Sequence, residues 1–230
     1  MILSHKHKFI YIKTHKTAST SIEVALCDLC GPEDIITPAS RHLMKHRKDA
    51  RAQNYRLDHP AVPKRPLLKR LLRRPERHYH TSVGFYEHMP GWRIKAYIGN
   101  EIWSSYYKFT FERNPWDRQV SWYYYKTKSK DPRPPFDAFN LNKRRAWVEN
   151  YDLYTIDNEM CVDFVGRYEN IAEDMDKVLE TLGLKGKVQL PKTNVSQDKL
   201  ADYQTYYTDQ SREIIGDWYA REINVFNYSF

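Results

Sequence analysis

Near the start of the chain, Phe9-Ile-Tyr-Ile-Lys-Thr-His-Lys-Thr-Ala-Ser-Thr-Ser21 passes from apolar residues into a basic, hydroxyl-rich stretch. A strand that runs through a turn into a helix exposes backbone N–H groups at the helix start, where the helix dipole adds partial positive charge. An anion is welcome there. Lys16 adds a full charge, Thr17, Ser19, Thr20 and Ser21 add hydroxyl donors, and small Ala18 lets the backbone approach a ligand. Ile22, Ala25, Leu26 and Leu29 recur at helical spacing, which predicts a helix over 17–29 packed on a sheet. The chemistry that such a cradle serves is the handling of a phosphorylated or sulfated nucleotide.

The P-loop pattern G-x-x-x-x-G-K-[ST] occupies the same strand-to-helix position, but no glycine stands between Phe9 and Ser21. A second cluster supplies another route. Lys108-Phe-Thr-Phe-Glu-Arg113 reads as a buried strand, and Asn114-Pro115 then opens a helix with proline at a tolerated early position. Arg113 sits at the strand end, and Ser121 follows two turns into the helix. Two strand ends that each deliver a cation beside a helix start can grip the two ends of one polyanionic nucleotide.

These segments resemble the sulfotransferases. HKTASTS at 15–21 is similar to their 5′-phosphosulfate loop, and RNPWDRQVSWYY at 113–124 to their 3′-phosphate motif. FVGRYENIAEDM at 164–175 resembles the late strand and helix of the carbohydrate branch, which includes heparan sulfate 2-O-sulfotransferase, and PKTNVS at 191–196 its nucleotide-closing loop. The likeness spans nearly the whole chain, with 30–75 the least covered. Two departures mark it. His15 stands where many relatives have proline, and Ser21 where the cytosolic small-molecule enzymes carry an adenine-stacking tryptophan.

The resemblance implies transfer of a sulfuryl group from 3′-phosphoadenosine 5′-phosphosulfate (PAPS) to a hydroxyl acceptor, most naturally a carbohydrate, with adenosine 3′,5′-bisphosphate as product and no metal. Lys16 would act on the bridging oxygen and the transferring group, Thr17, Ala18, Ser19, Thr20 and Ser21 would hold the 5′-phosphosulfate, and Arg113 and Ser121 the 3′-phosphate. Lys192, Asn194 and Ser196 would close over the nucleotide. His78-Tyr-His80-Thr-Ser82 resembles the H-x-H-x-S element whose second histidine is the base, which points to His80, with His78, Glu87 and His88 as alternatives.

Plainer readings exist for the same residues. Lys16 reads alternatively as a solvated surface lysine, Arg113 as an ion-pair partner, and 192–196 as a surface turn. Cys27-Asp-Leu-Cys30 resembles half a zinc site, but no second C-x-x-C exists, so core packing is the reading taken. Two other activities compete. One is a nucleotide-dependent kinase, and the other a non-catalytic basic module for heparin or nucleic acid built on Lys64, Arg65, Lys69, Arg70, Arg73, Arg74 and Arg77. Leu67, Leu68, Leu71 and Leu72 interleave with that run, so an amphipathic helix near 67–74 with a solvated basic face explains it without a dedicated partner, and no specific nucleic-acid partner is implied.

The elements that must position these groups follow from periodicity. Strands are predicted at 8–13, 107–112 and 162–166. Helices are predicted at 17–29, 92–100, 115–127, 142–150, 170–182 and 208–222, with irregular chain at 31–66 and an extended loop at 128–140. Asn170 and Glu173 read as a capping box. The expected architecture is a single α/β domain over 1–230, a P-loop-like three-layer fold with a mainly parallel sheet flanked by helices and ligands at the strand carboxyl ends. The formal charge of +8 calls for an anionic partner. No apolar run approaches the ~20 residues of a membrane helix, and an odd, sparse set of cysteines, Cys27, Cys30 and Cys161, points to a reducing compartment, so the expected location is cytoplasmic.

Overall fold

The computed structural model describes residues 1–38, 52–56, 84–190 and 202–230. The expected helix near 67–74, the basic run, His78, His80 and the loop carrying Lys192, Asn194 and Ser196 lie outside the described residues.

Strands β1 (Ile2–Ser4), β2 (Phe9–Tyr11), β3 (Ile35–Ile36), β4 (Tyr107–Glu112) and β7 (Phe164–Arg167) form one sheet in the order β3-β1-β2-β4-β7. A separate hairpin holds β5 (Thr155–Ile156) and β6 (Glu159–Met160). The main sheet is mixed. β1 pairs antiparallel with both β2 and β3, whereas β2–β4 and β4–β7 are parallel, so every strand except β1 points the same way. Its central strands are buried on both faces, as a sheet covered by helices on both sides demands, although β4 carries Lys108, Thr110 and Glu112 among its apolar residues.

Alternation along β2 and β4 feeds two cores. Phe9, Tyr11, Phe109 and Phe111 face helices α1 (Ser19–Cys27) and α6 (Ile171–Thr181) through Ile22, Leu26, Met175, Val178 and Leu179. Ile10 and Ile12 face the opposite side, where α2 (Gly91–Ser105) contributes Ile94 and Trp103. The result is a three-layer α/β arrangement. The Phe111 ring of neighbouring β4 lies over Gly166 of β7 so closely that no side chain fits there, since a Cβ would stand 2.4 Å from the ring.

Helix α3 (Pro115–Thr127) begins where the sequence places it, because the Asn114 side chain accepts the Trp116 N–H and Pro115 occupies the first turn. Other elements differ from expectation. The segment 128–140 contains a short helix, α4 (Phe136–Asn140), since Phe136 is buried against Tyr123 and Tyr207. The helix expected at 142–150 shrinks to α5 (Lys143–Ala146), because Asn150 is drawn to the His15 backbone. α2 runs farther than predicted, with a break at Gly99, φ 81°. At α6 no Asn170 side-chain cap forms, and the strand-to-helix turn is held instead by Asp174, whose carboxylate accepts the Arg167 N–H at 2.7 Å. The last helix is two, α7 (Asp209–Trp218) and α8 (Ala220–Phe226), parted at Tyr219, whose hydroxyl is drawn inward to Gln119.

A buried ionic cluster locks the end of β4. Arg118, fully buried, reaches Glu112 at 2.6 Å and Glu222 at 3.0 Å and lies over the Tyr219 ring. Glu112 also accepts the Arg113 N–H, the Asn150 amide and the Tyr154 hydroxyl. One guanidinium thus serves two carboxylates. Burial, with Glu112 adding like charge, pushes the Glu222 carboxyl up to about 7 although Arg118 pulls it down.

Removing one partner of such a cluster strands the others in a low dielectric, so Arg118→Ala is expected to lose about 3–5 kcal/mol in urea unfolding. For Glu222 the sign runs the other way. A carboxyl whose folded pKa is raised contributes stability below its ordinary value that is lost as pH climbs through about 7. Glu222→Gln should therefore gain stability relative to the parent between pH 5 and about 8, measured as the difference of their melting curves.

Candidate active site

The loop after β2 is joined to β4 almost residue by residue. Ile12 donates its N–H to Phe109 O at 3.0 Å, Thr110 Oγ1 donates to Ile12 O at 2.7 Å, and Thr14 Oγ1 donates to Phe111 O. With its proton spent on Phe111, the Thr14 hydroxyl accepts from Thr17 Oγ1 at 2.9 Å. Thr17 is fully buried, so its side chain braces the loop from inside instead of facing a ligand, and only its backbone remains for that purpose.

Beyond Thr14 the backbone turns through two residues with positive φ, Lys16 at 62° and Ala18 at 54°. Left-handed residues at such spacing curl successive N–H groups into a concave nest for anions. Ala18 is the N-cap of α1 and supplies no side-chain acceptor, while its carbonyl accepts from Ser21 N at 2.8 Å and Ile22 N at 3.2 Å. A helix start of this kind leaves N–H groups that water or an anion can accept. Ser19 is buried, and Thr20 and Ser21 are partly exposed on the first turn of α1.

Arg113 closes the other side. Its guanidinium donates to the Lys16 carbonyl at 3.1 Å, pairs with Asp117 through Nε at 2.7 Å and Nη2 at 2.6 Å, and lies 3.9 Å over the Tyr168 ring. The two cations picked from the sequence are therefore neighbours, and the ion-pair reading of Arg113 is met in the same side chain. Asp117, Ser121 and Tyr125 recur every fourth residue along one face of α3. Asp117 touches Arg113, and the Lys16 ammonium stands 4.7 Å above Tyr125, so helical spacing puts Ser121 between the two contacts.

Asn150 and Glu169 escaped sequence reading, whereas Tyr168, at the end of the late strand, reads from the sequence as able either to approach the site or to pack. Asn150, fully buried, accepts the His15 N–H at 2.7 Å and donates to the His15 carbonyl at 3.1 Å, fixing the loop from far along the chain. Tyr168 and Glu169 follow β7. Tyr168 underlies Arg113, and Glu169 accepts the Asn114 N–H at 2.7 Å. Their only sequence signal is a place just after a strand end. Glu87 and His88, read as alternatives to His80, do reach the loop. Glu87 pairs with buried Lys13, which also meets Glu23 at 2.6 Å, and burial's pressure against the Lys13 charge is outweighed by the two carboxylates. His88 stacks on His15 at 3.7 Å and donates Nδ1–H to Lys13 O at 2.9 Å, which leaves Nε2 as the unprotonated nitrogen of the neutral ring. Burial, then the neighbouring His15 and Lys13, push the His88 pKa well below its ordinary value. Among the described residues, no three His, Cys, Asp or Glu side chains converge as metal ligands, and no helix is long and apolar enough to cross a membrane.

A mixed five-stranded sheet flanked by helices, with two adjacent parallel strands that each run into a helix, fits a P-loop-like α/β fold. The profile of the sulfotransferase family matches residues 1–229. The chain belongs to the sulfotransferase family, and it is an enzyme of that class, consistent with the carbohydrate-type members that its motifs resemble. It is also 35% identical over 114 residues to an uncharacterized protein of Archaeoglobus fulgidus, a match that covers 48% of this chain and 95% of the relative.

Asn150 makes a sharp test of how the loop is held. Asn150→Ala removes the partner of three hydrogen-bonding groups, one buried and two part-buried, and is expected to lose about 2–4 kcal/mol in denaturant unfolding. Asn150→Asp should lose more at neutral pH, because its second oxygen would replace an amide donor 3.1 Å from Glu112.

Proposed function

We propose that the chain moves a sulfuryl group from PAPS to a hydroxyl of a carbohydrate by in-line displacement, releasing adenosine 3′,5′-bisphosphate. The observation that carries this reading is the Arg113 guanidinium on the Lys16 carbonyl, 3.1 Å away, which joins the two predicted anion grips into one continuous surface. In this reading the N–H nest of residues 16–18 and the first turn through Ser21 bind the 5′-phosphosulfate. Lys16 neutralises charge on the bridging oxygen, and Arg113 with Ser121 takes the 3′-phosphate. Lys192, Asn194 and Ser196 close over the nucleotide, and His80, with His78 beside it in sequence, accepts the proton of the acceptor hydroxyl.

The physical logic is that of phosphoryl transfer, where placement and charge neutralisation do most of the work and a base completes the displacement. The transferred group leaves the phosphate oxygen as the acceptor oxygen bonds to sulfur, and the hydroxyl proton passes to the histidine. Asp117 keeps Arg113 oriented before a phosphate arrives, as a carboxylate does for a guanidinium that must present a fixed fork. The reading keeps the enzyme in the cytoplasm as a single domain over 1–230, and its odd, sparse set of three cysteines accords with a reducing compartment.

Lys16→Ala should lower the rate of sulfate transfer about 10²–10³-fold while leaving the fold intact. Arg113→Ala should weaken adenosine 3′,5′-bisphosphate roughly 30- to 100-fold in calorimetric titration. Unchanged transfer and unchanged nucleotide affinity in both variants would overturn the reading.

A further inference from the structure

His88 holds a backbone conformation that its surroundings must enforce. Its φ of 56° lies in the left-handed region, which costs a residue with a Cβ conformational energy, and residues held so cluster beside functional sites. Three contacts keep it there. Nδ1–H of His88 donates to the Lys13 carbonyl at 2.9 Å, just past the end of β2. Its neighbour Glu87 pairs with the buried Lys13 ammonium, which Glu23 of α1 also meets at 2.6 Å. The His88 ring stacks on His15, with centroids 3.7 Å apart and planes 22° from parallel.

From His15 two routes lead to Lys16. Through the backbone, Asn150 accepts the His15 N–H and donates to its carbonyl, so residue 15 is held by its main chain and by its ring just before the turn at Lys16. Through side chains, the His15 ring lies 5.8 Å from Trp122, Trp122 stacks on Tyr125 at 5.5 Å, and the Lys16 ammonium stands 4.7 Å above Tyr125. A continuous series of rings thus runs from His88 to the cation that the donor must meet. His88 anchors the series, since it is tied to the end of a covered strand, whereas Tyr125 at the far end is 47% exposed. The anchor is suited to holding position. Nδ1 keeps its proton on the Lys13 carbonyl, Nε2 stands 3.8 Å from Glu87 Oε1, and burial, with His15 and Lys13 beside the ring, pushes its pKa well below the ordinary value. A neutral ring stacks on its neighbour without like-charge repulsion.

We propose that His88 is a positioning residue for sulfuryl transfer: it fixes the His15 ring and, through that ring, the turn and the ammonium of Lys16, without touching donor or acceptor. The proposal rests on the sulfotransferase reading above and adds to it what holds the reacting lysine in place.

Two measurements on the full chain separate the proposal from the reading beneath it. Release of labelled sulfate from PAPS, with water in place of the acceptor hydroxyl, reads the placement of Lys16 whatever the natural acceptor is. Calorimetry with adenosine 3′,5′-bisphosphate reads the nucleotide site. His88→Asn keeps a residue at ease with left-handed φ and an amide that can donate to Lys13, but removes the ring. It is expected to lower kcat for sulfate release about 10- to 30-fold, with KM for PAPS and bisphosphate affinity within about threefold of the parent. His15→Ala should do the same, and the double variant should fall no further than the poorer single one, because both changes break one contact. His88→Phe, which restores a ring but no titrating group, should recover kcat to within about fivefold of the parent and keep the acid limb of the pH profile. An unchanged kcat in His88→Asn, losses that multiply in the double variant, or a His88→Phe enzyme as slow as His88→Asn overturns the positioning role and leaves sulfate transfer standing. A parent that neither binds the bisphosphate nor releases sulfate overturns both.

Discussion

The Glu112 carboxylate, sealed at the end of the central strand, is the group on which the rest of the site depends. It sits in a medium where an uncompensated charge would cost several kcal/mol. Four donors answer it: the Arg113 N–H, the Arg118 guanidinium, the Asn150 amide and the Tyr154 hydroxyl. Those donors come from the strand end, from α3 and from two positions in the segment before the β5–β6 hairpin, Asn150 and Tyr154, which flank the 3-10 turn Tyr151–Leu153. Asn150 carries the constraint onward to His15 and so to the loop that holds Lys16. Satisfying one buried acid thus sets the relative positions of the two anion grips.

The same economy governs the remaining internal charges. Lys13 is held between Glu23 and Glu87, Arg118 between Glu112 and Glu222, and Arg113 against Asp117. Inside the molecule, positive groups are matched by carboxylates, so the excess behind the net charge of +8 is carried elsewhere. Matching also orients. A guanidinium already clamped by Asp117 and lying on Tyr168 has little rotamer entropy left to lose when a phosphate arrives, and the gain from that contact is correspondingly larger.

The parts legible in the sequence were those where local signals and burial agree. The strand-turn-helix at 9–27 and the strand-helix at 107–127 combine continuous apolar runs with distinctive helix starts, and both stand where the periodicity puts them. β1 and β3 were missed because strands of three and two residues carry no usable period. The capping box at Asn170 misled because Asp174, one residue past the expected partner, bonds the Arg167 N–H from within the helix. Asn150 could not have been found at all. Its role arises from contact with a backbone 135 positions away, and a lone buried asparagine leaves no pattern.

The glycine-free loop shows how a fold can make a left-handed turn without the residue best suited to it. Lys16 and Ala18 hold φ values of 62° and 54°, a conformation that costs of order 1 kcal/mol or more for a residue with a Cβ and persists only when its surroundings over-determine it. The surroundings do so from three directions: Arg113 on the Lys16 carbonyl, Thr14 on Thr17, and Asn150 on both polar atoms of the His15 backbone. A glycine loop would reach the same shape at less conformational cost but would also leave it easily. Side chains at 16 and 18 trade that freedom for a loop fixed before any ligand binds, and the trade works because two of the clamps, Thr14 and Arg113, directly follow parallel strands that the core already holds in register. Preorganisation here is a property of the sheet, transmitted to the loop by hydrogen bonds, and the positive φ values are its local signature.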